Sequence, residues 1–492
     1  MHQLITTLVL IGGAIFAALL TSVSMAGAVH LTARKPHGYQ HLMIYVMLLV
    51  LAVGSLLGGR DLTSNFLDAE ELTEGVARHP LMSIIQPVAS LIILAVSGER
   101  ILTHWLLRER APNHAQGLLI AFVFFWFFTV AVPAFFGANP SISHDYAYPL
   151  VIGIAACLAT GLERDLAIKA TRNALVLFML GGFLVAPIMP QAVMDLAYNQ
   201  GLIPGLPRMA GLASHAVSMG LLAQLGLLCL LARPYEKRWL NRTAWVIGLA
   251  MLFMAQSKTG WIAFFLCSAC LVMVRSGPDL LRRAADPLRP ELGIAFIVLF
   301  ILGLLGFVGL VMFSDVGNDI SNFLNSAEGA QLASMTGRDR IWAIAYDEWL
   351  RHPLFGYGPS IWDQDFRDAI GMPNATHAHN QFMDTLSRAG AVGASALVAY
   401  ALMLLVLSLR FARATRGLTL ALFVALLLRA ISEVPLILMG YGPELIIHVL
   451  LLMVLAAALN DAHSTQRSAS KAGSRGNRSF TRQTVAPARY SA

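Results

Sequence analysis

The sequence predicts an all-α polytopic membrane protein, with about thirteen (12–14) transmembrane helices and one large, partly helical loop between the tenth and eleventh. Three observations carry this. Of 492 residues, 57% are apolar and 13% charged, and the mean hydropathy is +0.65, which lies outside the range of soluble globular domains. Apolar runs long enough to cross about 30 Å of hydrocarbon recur along most of the chain. Lys and Arg collect on alternate loops, the pattern left when one side of a membrane retains positive charge.

Taken in order, the runs fall at roughly 4–30, 42–58, 81–98, 117–136, 146–162, 174–190, 211–232, 240–257, 259–275, 292–313, 389–411, 417–431 and 441–459. The first has the apolar core of a signal peptide. No Lys or Arg precedes it, however, and Arg34 and Lys35 follow it, so it reads as an uncleaved span with its N-terminus outside. The run at 81–98 is short and polar-flanked, and an amphipathic surface segment there would shift everything before it. The four cysteines, Cys157, Cys229, Cys267 and Cys270, all lie in apolar runs. Cys267 and Cys270 form a CxxC with no further thiol or histidine nearby, so packing explains them better than metal or redox chemistry.

One set of alternating loops, including "TARKPHGYQ", "ARPYEKRWLNR" and "RSGPDLLRRAADPLRP", holds most of the 35 Lys and Arg together with the C-terminal tail. That side is the cytoplasm, so the C-terminus lies inside. The chain divides into an N-terminal bundle (1–313), an outer loop (314–388), C-terminal spans (389–460) and a basic tail (461–492). The tail carries six Lys or Arg against one acid. It accounts for most of the formal charge of +7 and suits an anionic leaflet better than nucleic acid. With almost nothing apolar to bury, it reads as disordered.

The outer loop is where chemistry belongs, because long loops in compact architectures are usually functional or disordered, and this one carries Trp342, Trp349, Trp362, Phe355, Phe366 and Phe382. Thr336 followed by Asp339 has capping-box spacing, Ile341, Trp342, Ala345 and Trp349 recur at helical period, and Pro353 stops the run. Arg338 and Arg340 fall in the first turn, where free N–H groups favour an anion. Two arginines there suit a phosphate bound between them; the plain alternative is a pair of solvated surface arginines. "GYGPSIW" is then a Gly- and Pro-punctuated turn leading to "NATHAHNQFMDTLSRAGAVG".

In that last stretch His377 and His379 stand in front of a membrane helix, with Asn380 as its cap. HxH supplies only two metal ligands, and neither HExxH nor a cysteine pair is present, so no metal is expected. A histidine there is either a hydrogen-bonded rim residue or a general base. Other basic residues on this side are Arg208, Lys258 in "QSKTGW", and Arg429, whose i, i+4 neighbour Glu433 makes a structural ion pair the straightforward reading.

The ordered set "GRDRIW", "HPLFGYGPSIW" and "THAHNQFMDTLSRAGAVG", with "RMAGLASHAVSMG" and "QSKTGW" upstream, resembles the bacterial O-antigen ligase and polymerase family over about residues 200–440. The resemblance implies a metal-independent, inverting glycosyltransferase without cofactor, at the periplasmic face of the inner membrane. Its donor is an undecaprenyl-diphosphate-linked glycan; its acceptor is a hydroxyl of a glycan (polymerase) or of lipid A core (ligase). It also implies His379 and Arg338 as catalytic residues, with Arg338, Arg208 and Lys258 on the diphosphate; the reading of the residues themselves adds Arg340 to the diphosphate set and Asn380, His377, Arg429 and Glu433 in support. The family often has Pro-Asn where this chain has "SHAVS", so His215 receives no role. A chain-length regulator and the lipid bilayer are the remaining partners; nucleic acid is not one. The reading leans to a polymerase of exopolysaccharide or O-antigen. A lipid-linked glycan flippase is the alternative from another class, though no duplicated halves of the kind common in carriers are visible.

Overall fold

The structure is a computed structural model that describes residues 2–32, 38–62, 79–106, 113–196, 206–284, 338–372 and 375–480. The run at 292–313, Thr336 with its capping box, and the end of the tail lie outside the described residues. The protein is an all-α polytopic membrane protein. Among the described residues, seven helices are long and apolar enough to span a bilayer. The only strands among them are a two-residue antiparallel pair, β1 (Met194–Asp195) and β2 (Arg208–Met209).

In chain order the main helices are α1 (His2–Thr32), α2 (Met43–Leu57), α3 (Met82–Leu106), α4 (Gln116–Phe136, with a π turn at Phe127–Ala131), α5 (Ala147–Cys157) and α6 (Gly161–Val185). There follow α7 (Ala216–Ala232), α8 (Arg238–Ala255), α9 (Lys258–Ala284), α10 (Arg338–Arg351), α11 (Gln364–Ala369), α12 (Gln381–Arg410), α13 (Leu418–Ser432) and α14 (Leu445–Phe480). A helix apolar on every side belongs inside a bundle. Both α7 and the first half of α14 fit: Leu225, Leu228, Leu450 and Leu455 are fully or almost fully buried. α14 continues as helical backbone to Phe480, into the stretch whose composition suggested disorder; no proline interrupts it before Pro487.

The run read as one span at 146–162 is two elements. α5 has 11 residues, about 16 Å of helix, too short to cross. α6 then begins at Gly161 with a capping box in which Thr160 accepts from the Glu163 amide and Glu163 reaches back to the Thr160 N–H. Its charged first turns, between the apolar runs at 146–162 and 174–190, are paired: Glu163 with Arg100 at 3.2 Å, and Asp165 with Arg233 at 2.9 Å.

What joins the segment 338–380 to the membrane helices is a break in α12. Gly390 has φ +64, and the carbonyls freed around it are taken up by the Pro353–Gly358 turn. Tyr357 N donates to Ser387 O (2.9 Å), Gly358 N to Arg388 O (3.0 Å), and Ala391 N to Pro353 O (2.8 Å). "HPLFGYG" is therefore the splice between loop and membrane helix. Ile341, Ala345, Ile361, Trp362, Phe366 and Ala378 form a separate small core within the loop. A Cβ on Gly390 would stand 2.4 Å from the Leu354 carbonyl, whereas one on Gly371, also at φ +64, would meet nothing. Alanine at either position is strained by the positive φ, on the order of 1–3 kcal/mol, and at Gly390 the ψ of −165 puts the residue in a region open essentially to glycine alone. Only Gly390→Ala should in addition open the splice, and thermal melts in detergent should show the larger drop there.

Candidate active site

Three consecutive residues stitch the start of α12 to the end of α13. His379 Nδ1 lies 3.3 Å from Glu433 Oε2, Asn380 Nδ2 donates to Ile431 O (3.3 Å), and Gln381 Oε1 accepts from Leu436 N (2.7 Å). Asn380 also caps α12, its Oδ1 accepting from Phe382 N and Met383 N. The loop before it is held from above and below: Trp342 Nε1 donates to Ala378 O (2.9 Å), and Ala378 N donates to Asp384 (3.2 Å), itself buried against Arg388. These contacts keep His379 at φ +48, a left-handed conformation that costs a non-glycine residue roughly 1–2 kcal/mol.

Glu433 is the hub. His377 Nε2 lies 3.6 Å from its Oε2, and the Arg338 guanidinium 3.8 Å from its Oε1. The ion pair expected between Arg429 and Glu433 does not form. α13 stops at Ser432 and Glu433 is extended (φ −146, ψ −175), so the i, i+4 relation no longer applies. Arg429 turns into the bundle, where it donates to the Leu221 carbonyl. Burial alone would raise the Glu433 carboxyl. The hydrogen bond from His379 and the nearby His379, His377 and Arg338 outweigh it and hold the group below its ordinary value of 4.5. His377 is lowered, first by burial and then by His379.

The two arginines expected to share a phosphate separate. Residues two apart on a helix face different ways: Arg338 faces Glu433, while exposed Arg340 donates to Ile370 O (3.3 Å). Arg208 is buried on β2, its Nε donating to Ala255 O (3.0 Å). Lys258 is exposed at the first residue of α9, beyond the left-handed Gln256 (φ +47) that turns α8 into α9. His215, assigned no role from sequence, caps α7 by accepting from Val217 N and lies within electrostatic reach of Arg208, Glu433 and His379. An apolar groove of about 590 Å³ runs between α4 and α12, past Phe124, Phe125, Phe128, Val392 and Tyr400.

His377, His379 and Glu433 each present a ligand atom within 4.8 Å of the others, so Glu433 adds the third metal ligand that HxH lacks. The hydrogen bonding argues for another use of these groups. His377 Nδ1 accepts from His379 N–H (3.1 Å), which puts the proton of the neutral ring on Nε2, the nitrogen facing Glu433. Arg338 also brings a positive charge to the same carboxylate.

Residues 243–398 match the family model described as O-antigen ligase. That segment, about a third of the chain, is similar to the O-antigen ligase family. The match takes in Lys258, α10 with Arg338, and the histidine loop, and ends inside α12 before Glu433. No curated protein matches the chain. The similarity supports ligase- or polymerase-type activity in general and does not distinguish the two.

Proposed function

We propose that the protein is a metal-independent glycosyltransferase at the periplasmic face of the inner membrane, joining glycan repeat units carried on undecaprenyl diphosphate. The observation that carries this is the meeting of His379 and Arg338 at Glu433, on the rim of the membrane bundle. A sugar on diphosphate is already activated, so two services remain. An acceptor hydroxyl must lose its proton, and the charge growing on the departing diphosphate must be stabilised.

His379 takes the acceptor proton as general base. The acceptor oxygen forms the new bond to the anomeric carbon from the face opposite the leaving group, so the centre inverts. The old C–O bond breaks with its electron pair going to the diphosphate. Arg338 holds that diphosphate; its contact with Glu433 is loose at 3.8 Å, leaving N–H groups of its fork for phosphate oxygens. Exposed Lys258 adds a second cation, and buried Arg208 contributes charge from behind His215. Arg340 is left out of the set. The apolar groove between α4 and α12 is the kind of surface a prenyl chain would need on the lipid side.

Purified protein incubated with lipid-linked repeat units alone distinguishes the two acceptors. A ladder of longer lipid-linked products is the outcome expected of a polymerase. Reaction only after lipid A core is added would make the protein a ligase, and no reaction with either would remove the proposal.

A further inference from the structure

We infer that Glu433 is a positioning residue that fixes the tautomer of His379, leaving Nε2 as the nitrogen that takes the acceptor proton. This deepens the proposed function and rests on His379 being the base. Glu433 lies beyond the segment that matches the family, and nothing in its surroundings in the sequence pairs it with a histidine 54 residues earlier.

The tautomer of His379 is decided by which atoms can donate. An ionised carboxylate only accepts hydrogen bonds. Glu433 Oε2 is 3.3 Å from His379 Nδ1, so Nδ1 must carry the proton for that contact to be favourable. A neutral imidazole has one N–H, and the lone pair is then on Nε2. His377 is fixed independently: its Nδ1 accepts from the His379 backbone N–H, so its Nε2–H points to the same oxygen at 3.6 Å. Two imidazole N–H groups thus converge on Oε2, and Oε1 is left to Arg338.

Glu433 is itself held rigidly. It ends α13 in an extended conformation with its N–H bonded to Arg429 O (2.7 Å), and Gln381 anchors the segment just beyond it. When Nε2 takes a proton, the resulting imidazolium lies against a carboxylate already in place. Charge is then stabilised without rearrangement at the moment of reaction. The other groups around the ring are His377, Arg338 and His215, with Asp195 and Arg208 beyond His215 and the Asp384–Arg388 pair beyond His377. None of these is within hydrogen-bond distance of His379 Nδ1 among the described contacts.

The test is steady-state turnover of lipid-linked repeat units by Glu433→Gln and Glu433→Asp proteins. Glutamine can turn its amide N–H toward Nδ1 and push the ring proton to Nε2, so Glu433→Gln should lose on the order of 10²-fold in kcat, with KM within about threefold. Glu433→Asp should recover part of the loss. Combined with His379→Ala, Glu433→Gln should add nothing. Glu433→Gln with near-normal kcat would overturn the inference while leaving His379 as base. Full activity in His379→Ala alone would instead remove the reading on which it rests. Nitrogen-15 NMR of histidine-labelled protein, with His379 assigned by difference from His379→Asn, reads the tautomer without turnover: Nδ1–H is expected, and Nε2–H would overturn the inference.

Discussion

His379→Ala should lower turnover by on the order of 10²-fold or more and leave the protein folded. The expectation follows from what the side chain does and does not hold. Its ring touches Glu433 and His377, whereas the loop is fixed by the Trp342, Asp384 and Asn380 hydrogen bonds, all of which survive the substitution. His379→Asn is a sharper control. Asparagine tolerates the φ of +48 better than most residues, so an inactive His379→Asn with an unchanged melt would assign the loss to the missing imidazole. Near-normal activity in either variant would remove the general base.

Arg338→Ala should cost a similar factor, mainly in kcat, because a cation on the leaving diphosphate matters most as charge develops in the transition state. Arg338→Lys should recover only part, since an ammonium cannot reproduce the planar fork. Arg340→Ala should stay within about threefold of the parent, as expected for a surface arginine turned to the Ile370 carbonyl. Initial rates with lipid-linked donor check all three. Equal losses at Arg338 and Arg340 would contradict the division of the two side chains drawn from the structure.

Much of this was legible in the residues. Each of the seven described helices long enough to span falls on one of the apolar runs, though not every run is a span, and "THAHNQ" at the edge of one of them marked the cluster around Glu433. Asn380 as a cap follows from the preference of amides for that place. Glu433 was misread because i, i+4 spacing presupposes a helix that continues, and "EVP" says otherwise: Pro435 two residues on disfavours helix at Val434, which leaves Glu433 free to face the histidines. Arg338 and Arg340 were grouped by proximity in sequence, although helical geometry sets them on different faces. The start of α6 was signalled by Thr160 and Glu163 and obscured by charges whose partners, Arg100 and Arg233, come from other helices. No local pattern announces those partners, nor the meeting of residues 379 and 433, because each depends on how distant helices pack.

The measurement that bears most directly on the account is a cryo-electron microscopy structure of the protein, prepared in chelator, with an undecaprenyl-diphosphate-linked repeat unit bound. The account predicts diphosphate density within hydrogen-bond reach of Arg338, prenyl density entering the groove between α4 and α12, and His379 Nε2 facing the anomeric carbon's open side. Diphosphate bound away from Arg338, or a donor site with no path to His379, would contradict it.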